Sequence, residues 1–373
     1  MALLDVQDLS VTFRQRGKRT VRAVDGVSFS VNAGEVVGLV GESGCGKSVT
    51  SLALMGLLPQ QPGISVQGRA DFDGTDLLRV DRRAMRDIRG RDIAMIFQDP
   101  LSSLNPVIPI GRQVTEVLAR HRGLGGDAAR KEAADLLDRV GIPDPKRRLR
   151  EYPHQLSGGM RQRALIAIAV ACRPRLLIAD EPTTALDVTI QAQILELLKD
   201  LVRDSGTALV MITHDLGVVA GMCDTVNVLY AGRVVETARR KPLFTKPRHP
   251  YTVGLLRSIP RLDVGRGERL SPIPGSVRDV LPWADGCAFA PRCDRQVEAC
   301  LGQPPQLALT HTDRTYRCVN PVPPAGAGPA GPASAAAAEP AVAGVVPAQA
   351  TVPGERPVEE RAELPAPGEE ESA

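Results

Sequence analysis

The chain has 373 residues, a formal net charge of +3, 43% hydrophobic residues and only 3% aromatic residues. This composition is typical of a globular protein with an aliphatic core, and the length allows two or three domains. No apolar run approaches the ~20 residues of a membrane-spanning helix, and the N-terminus lacks a signal-peptide pattern. We therefore expect a soluble, cytoplasmic protein that meets a membrane only through partners. Nucleic-acid binding has little support, since no basic stripe with interleaved aromatics occurs.

Residues 1–265 alternate short apolar runs with helical stretches, a pattern typical of an α/β fold with a parallel sheet covered on both faces. The runs at Val36–Val40, Leu176–Ala179 and Leu209–Thr213 predict buried strands. Between about residues 99 and 171 the pattern changes to helices. We interpret this stretch as a helical subdomain inserted into a mixed-sheet core.

The remainder of the chain differs in composition. Residues 242–274 are rich in Pro and Arg, and we expect irregular structure there. Residues 266–320 contain four cysteines and predict a small regulatory module. From residue 321 to residue 373, Ala, Pro, Gly and Glu dominate. Such a segment cannot bury enough apolar surface to offset its ordering entropy, so a disordered tail is predicted.

A glycine-rich segment, GESGCGKS, fits the P-loop pattern GxxxxGKS/T between an apolar run and a predicted helix. Its glycines let backbone N–H groups face phosphate oxygens, and the helix N-terminus favours anions. Lys47 is expected to reach the β- and γ-phosphates of ATP, and Ser48 to ligate Mg²⁺. The nucleotide-binding candidates of this segment are Gly41, Ser43, Gly44, Cys45, Gly46, Lys47, Ser48 and Val49.

Two carboxylates follow the apolar run LLIA. We expect Asp180 to hold Mg²⁺ through water, and Glu181 to polarise the attacking water as a general base. His214 follows another apolar run, ALVMIT, and is a candidate to contact the γ-phosphate and orient that water.

The segment LSGGM contains Ser157, Gly158 and Gly159 and precedes a predicted helix. A hydroxyl, two permissive glycines and a helix N-terminus together form a second phosphate-binding device. One nucleotide needs only one P-loop. We therefore expect this segment to serve a nucleotide that another subunit holds.

LSGGM resembles the signature of ABC (ATP-binding cassette) ATPases, and the P-loop, Gln98, the signature, the acidic pair and His214 follow in that family's order. The resemblance implies a head-to-tail dimer with each ATP between one P-loop and the partner's signature. It also implies that Phe13 stacks on adenine and that Gln98 links Mg²⁺ and water to a transmembrane partner. The segment 185–187 would cross the dimer interface.

Longer phrases, such as IFQDPLSSLNP, YPHQLSGGMRQR, HPYTVGLL and PIPGSV followed by GCAFAPRC, resemble D-type subunits of oligopeptide/dipeptide (and nickel) importers. The resemblance implies an ATPase at the cytoplasmic face of the cell membrane that powers peptide import. Its partners would be two permease subunits, a second ATPase subunit and an extracytoplasmic binding protein. A soluble ABC ATPase that acts on nucleic acid or ribosomes is the alternative, as is nickel or another small solute as substrate.

Four of the seven cysteines, Cys287, Cys293, Cys300 and Cys318, lie in the predicted C-terminal module. In a cytoplasmic protein, thiolates of this kind ligate zinc or an iron–sulfur cluster more readily than they form disulfides. The CxxC pairs common in zinc sites are absent from this module. The resemblance to D-type subunits implies a 4Fe–4S cluster, with Zn²⁺ or no metal as alternatives.

Overall fold

The computed structural model describes residues 2–14, 20–184, 186–259, 272–277, 286–311 and 314–323. The strands in these residues are β1 (Leu4–Phe13), β2 (Val21–Val31), β3 (Val36–Val40), β4 (Ile64–Phe72), β5 (Thr75–Asp76), β6 (Ile93–Ile96), β7 (Leu176–Asp180), β8 (Ala208–Thr213), β9 (Thr225–Tyr230), β10 (Arg233–Arg239), β11 (Ala308–His311) and β12 (Arg314–Tyr316).

The helices in the same residues are α1 (Lys47–Leu54), α2 (Arg82–Ile88), α3 (Pro100–Ser103), α4 (Ile110–Arg122), α5 (Gly126–Arg139), α6 (Pro145–Arg148), α7 (Gly158–Val170), α8 (Val188–Ser205), α9 (Leu216–Met222), α10 (Arg240–Thr245) and α11 (Pro250–Arg257). Short 3-10 turns occur at Pro153–Gln155, Ala290–Arg292 and Glu298–Cys300.

The main sheet has the strand order β11-β12-β10-β9-β3-β8-β7-β6. The five strands from β9 to β6 are parallel neighbours, whereas β10, β12 and β11 are antiparallel additions. Every residue of β3, β7 and β8 is buried, as apolar runs covered on both faces require. The three predicted strands are thus confirmed, and the sheet is mixed.

Successive residues of β3 face two different cores because side chains alternate along a strand. Val36 and Val40 belong to the core cluster that contains the helices α4, α5 and α7. Val37 and Leu39 belong to a second cluster, together with Leu4 and other residues of β1. The P-loop, which follows β3, is therefore fixed between two packed layers.

A second, antiparallel sheet with the strand order β2-β1-β4-β5 covers the second core cluster. The sequence did not predict this sheet. Register shifts interrupt the pairing of β1 with β2 and with β4, and Asp8 within β1 has a positive φ of 49°. These irregularities break the strict two-residue alternation that marks a strand in a sequence.

Helices α3 to α7 occupy residues 100–170, where the sequence predicts helices. Ile110, Leu118, Leu137 and Ile166 are fully or almost fully buried in the first core cluster. The amphipathic faces of these helices therefore pack on one another and on the main sheet.

The expectation of irregular structure after residue 242 was wrong in part, because α10 and α11 lie in this Pro-rich stretch. Pro250 occupies the first turn of α11, where a missing N–H costs no helical hydrogen bond. His249 caps this helix, since its Nδ1 accepts a hydrogen bond from the Tyr251 N–H at 3.1 Å. Proline here starts a helix instead of preventing one.

The C-terminal residues return to the main sheet. β12 pairs with β10, with Glu236 opposite Tyr316 and Thr237 opposite Thr315. The predicted boundary at residue 265 lies outside the described residues, as does the predicted tail beyond residue 323. Across the described parts of the chain, no helix is both long and apolar enough to cross a bilayer.

Truncation of Leu118 to alanine should destabilise the first core cluster, because this side chain is fully buried in α4. We expect the free energy of unfolding to fall by ~2–5 kcal/mol, measured by urea denaturation. Leu101→Ala is the matched control, since Leu101 is 62% exposed and should change stability by ~0.5 kcal/mol or less. Equal losses in the two variants would contradict the described packing.

His249 predicts a pH dependence of stability, because burial lowers the pKa of its imidazole to about 3. In the unfolded chain the His249 imidazole is protonated below pH ~6.5, whereas in the folded chain it stays neutral down to a much lower pH. The contribution of His249 to stability is therefore fully present above pH ~6.5, and it is lost as the pH falls from there toward the folded pKa. The slope approaches ~1.4 kcal/mol per pH unit. Denaturation of the wild type and His249→Gln at several acidic pH values should give a shallower decrease for the variant. If stability decreases with falling pH equally steeply in the wild type and in His249→Gln, His249 is not the source of the pH dependence.

Candidate nucleotide-binding site

The loop between β3 and α1 encloses the Lys47 ammonium group. Lys47 Nζ donates to the carbonyl oxygens of Gly41 at 2.8 Å and Glu42 at 3.1 Å. Gly46 has a φ of 104°, and a Cβ atom there would lie 2.4 Å from the carbonyl oxygen of Ala23. A side chain at this position is therefore excluded. The unpaired N–H groups of the first turn of α1 follow directly, which gives the loop the character of an anion site.

Asp180 ends β7 as a buried carboxylate, and the Ser48 hydroxyl donates to its Oδ1 at 3.1 Å. Burial raises the pKa of Asp180, although the Ser48 hydrogen bond opposes this rise. A bound cation would relieve the cost of that buried charge. The hydroxyl and carboxylate are the hard oxygen donors that Mg²⁺ prefers, so this pair fits the predicted metal.

Glu181 sits at a strained position after β7, with a φ of 46° that non-glycine residues rarely adopt. Its Oε2 accepts hydrogen bonds from Gln98 Nε2 at 2.8 Å and Thr184 Oγ1 at 3.0 Å. His214 Nδ1 lies 3.1 Å from Oε1. Burial acts to raise the pKa of Glu181, but the bonds from His214 and Thr184 outweigh it and lower the pKa. The carboxylate is thus kept ionised.

A cleft of about 720 Å³ opens over the phosphate loop. It brings together most of the predicted residues, namely Gly41, Ser43, Gly44, Gly46, Lys47, Ser48, Val49, Gln98, Glu181 and His214. Asp180 lies behind Ser48, and Cys45 is fully buried, with burial raising the pKa of its thiol. The cleft therefore combines an anion site with an ionised carboxylate.

Phe13 ends β1 and packs against the second core cluster, and it is not among the residues that line the cleft. Its stacking on adenine stays a prediction.

The LSGGM segment begins α7. The Ser157 hydroxyl accepts a hydrogen bond from the Met160 N–H at 3.3 Å, and Ser157 and Gly158 are exposed. A Cβ atom on Gly159 would lie 2.8 Å from Ile190 Cγ2, so α7 and α8 approach closely here. These residues do not line the cleft over the phosphate loop. The segment thus presents its helix N-terminus to the outside.

The predicted interface segment 185–187 is described only in part, because residue 185 lies outside the described residues. Asp187 caps α8, with its Oδ1 accepting from the Ile190 N–H at 2.9 Å.

The four cysteines of the C-terminal part have free thiols. Burial raises the pKa of Cys287, Cys293 and Cys318, to about 12 for Cys318, and repulsion from neighbouring cysteines adds to each rise. The Cys287 N–H also donates to the Cys300 carbonyl oxygen at 2.8 Å, so these two residues are neighbours. Within the described ranges, however, no three His, Cys, Asp or Glu side chains form a metal-holding group. The cluster and its zinc alternative stay predictions.

Several contributors to the site were not predicted. Thr184 supports Glu181, and residues 275–277 line the cleft. Glu42 is held by two side chains from the C-terminal third of the chain, Tyr251 and Arg292. The phrase PIPGSV contains residues 275–277, but nothing in it indicates a place at the cleft. No local signal could have paired Glu42 with a residue 250 positions away.

Comparisons with known families match two parts of the chain. The ABC transporter family matches residues 24–184, and the oligopeptide/dipeptide transporter C-terminal region matches residues 235–300. A dimeric ATP-binding cassette solved in a post-hydrolysis state with ADP and Pi is similar, with a TM-score of 0.56 and 30% identity. That similarity covers 64% of this chain and 98% of the other.

Curated relatives are more similar. The dipeptide transport ATP-binding protein DppD of Bacillus subtilis (strain 168) is 52% identical over 316 residues, which is 85% of this chain and 94% of the relative. DppD of Escherichia coli (strain K12) is 50% identical over 87% of this chain and 99% of the relative. The oligopeptide transport ATP-binding protein OppD of Bacillus subtilis is also 50% identical, over 83% and 87%. The chain therefore belongs to the ABC ATPases, in the group of oligopeptide/dipeptide transporter ATP-binding proteins.

Proposed function

We propose that this chain is the ATPase subunit that powers peptide import through a membrane ABC transporter. The observation that carries the proposal is the ionised Glu181, held beside Lys47 and Ser48 in one cleft. The relatives named for dipeptide and oligopeptide transport match over 87–99% of their own length. This coverage favours peptides over nickel or another solute, and transport over a soluble role on nucleic acid or ribosomes.

The phosphates of ATP bind at the phosphate loop. Lys47 and the first turn of α1 attract the β- and γ-phosphates. Ser48 and Asp180 would hold Mg²⁺, which would supply positive charge to offset that of the phosphates. Phe13 is the candidate to stack on adenine.

Hydrolysis is a water attack on the γ-phosphorus. Glu181 orients this water and accepts its proton, while the bond from the γ-phosphorus to the bridging oxygen of ADP breaks. His214 and Gln98 fix the Glu181 carboxylate from two sides, at 3.1 and 2.8 Å. Gln98 also lies at the start of the helical segment, where a permease subunit would sense the site.

The signature of a second ATPase subunit completes the site. The outward N-terminus of α7 at Ser157–Gly159 supports this proposal, because it offers an anion site that the chain's own cleft does not use. We propose a heterodimer of ATPase subunits, bound to two permease subunits at the cytoplasmic face of the membrane. An extracytoplasmic binding protein would supply the peptide.

The second part of the proposal concerns the predicted iron–sulfur cluster. Four cysteine thiols are a donor set of the number and kind that an iron–sulfur cluster uses, and repulsion from neighbouring cysteines contributes to the raised pKa of Cys287, Cys293 and Cys318. We propose Cys287, Cys293, Cys300 and Cys318 as its ligands. The cluster would support the C-terminal part of the chain, outside the ATP chemistry.

Glu181→Gln should retain ATP binding and lose turnover, because the amide keeps the size of the side chain but cannot accept the proton. We expect phosphate release by the assembled transporter to fall by ~10²–10⁴-fold. Glu196→Gln, at an exposed position of α8, is the control and should hydrolyse ATP normally. Normal turnover in Glu181→Gln would remove Glu181 from the role of base.

Anaerobic purification of the full chain should yield equal amounts of iron and acid-labile sulfide with a broad visible absorbance. Cys293→Ser should lose both, whereas Cys172→Ser should keep them, since Cys172 lies outside the C-terminal part. Recovery of zinc alone, or of no metal, would reject the cluster.

A further inference from the structure

An ion pair joins the phosphate loop to the C-terminal part of the chain, between the buried Arg292 and Glu42, whose side chain is 30% exposed. Arg292 Nη1 donates to Glu42 Oε2 at 2.7 Å, and Nη2 donates to Oε1 at 3.0 Å. The Arg292 side chain is only 4% exposed. This two-point geometry fixes the orientation of both side chains, as a single point charge could not.

The same guanidinium holds a second segment. Arg292 Nε donates to the Pro274 carbonyl oxygen at 2.7 Å, and Nη2 donates to the Gly275 carbonyl oxygen at 3.1 Å. Gly275 and the next two residues, Ser276 and Val277, line the cleft over the phosphate loop. Arg292 therefore fixes two walls of one cleft at the same time.

Glu42 makes a second contact with the C-terminal half of the chain, through its backbone. Its backbone N–H donates to the Tyr251 hydroxyl at 2.9 Å, and Tyr251 is fully buried against Phe289. The Glu42 carbonyl oxygen accepts from Lys47 Nζ at 3.1 Å. A short path of contacts thus leads from Arg292 through Glu42 to the ammonium group that faces the phosphates.

The charge of Arg292 is retained despite its surroundings. Burial acts to lower the pKa of the guanidinium, but the hydrogen bonds to Glu42 and Tyr230 raise it above its ordinary value. A buried ion pair contributes little stability compared with apolar residues of similar volume. Because the Glu42 partner belongs to the phosphate loop, the ion pair can fix the geometry of that loop.

We propose that Arg292 is a positioning residue for ATP, which holds Glu42 and residues 273–275 so that the phosphate loop and the opposite wall of the cleft are arranged before the nucleotide binds. The inference rests on the proposed assignment of this cleft to ATP. It makes the cysteine-bearing part of the chain a determinant of nucleotide affinity within the same subunit.

The test compares Arg292→Gln with the wild type as full-length chains. We expect the Kd of a fluorescent ATP analogue, and the KM for ATP of the assembled transporter, to rise roughly tenfold. The kcat at saturating ATP should change little, because no reacting group is altered. Arg292→Lys should recover only part of the affinity, since an ammonium cannot make the two-point contact.

Two further variants separate positioning from folding. Arg295→Gln, which alters a neighbouring arginine bonded to Asn320, should bind ATP normally. Glu42→Gln changes the cassette side of the pair and should also weaken binding. The double variant should be no weaker than Arg292→Gln, because both changes remove the same interaction. A Kd within twofold of the wild type for Arg292→Gln or for Glu42→Gln, or additive losses in their double variant, would overturn the inference.

Lys47→Ala distinguishes this inference from the proposed function. If the wild type binds no nucleotide, or if Lys47→Ala binds as tightly as the wild type, the assignment of the cleft fails. If Lys47→Ala loses binding and Arg292→Gln does not, the cleft assignment stands and only the role of Arg292 fails.

Discussion

The parallel register of β3, β8 and β7 determines where the chemistry of this protein takes place. Val40 lies opposite Thr213, and Ile212 lies opposite Asp180. Because the three strands run in the same direction, the residues that follow them emerge at one edge of the sheet. The phosphate loop, His214 and Glu181 follow these strands directly. Three segments that are distant in sequence thus meet at the same edge of the sheet, because each directly follows one of three adjacent strands.

At this edge the two carboxylates after β7 have opposite electrostatic environments. Asp180 is buried and accepts a hydrogen bond from the Ser48 hydroxyl, and burial raises its pKa. Glu181 receives three polar contacts, and its pKa is lowered. Adjacent residues of the same charge are thereby suited to different tasks, one to a cation and the other to a proton from water. The strained backbone of Glu181 is the local cost of turning its side chain into the cleft.

The parts of the site that could be predicted from the sequence are those in which a short motif carries its own geometry. The phosphate loop, the acids after β7 and the buried strands around them belong to this class. The antiparallel sheet was missed because irregularities in β1 hide its alternation, and α11 because Pro250 resembles a breaker of helices. Arg292 could not be predicted for a different reason. Its partner Glu42 is 250 residues distant, and only the folded chain brings the two together.

The pairing of β12 with β10 has a consequence for how the protein is made. Strands from residues 36 to 316 share one sheet, and the cleft is lined by residues as far apart as Ala23 and Val277. Contacts of this sequence separation form late, because long loops must close first. During synthesis the phosphate loop leaves the ribosome long before Arg292 does. A nascent chain therefore carries an incomplete nucleotide cleft until most of its length has emerged, and the mature cleft arises only when the C-terminal part docks.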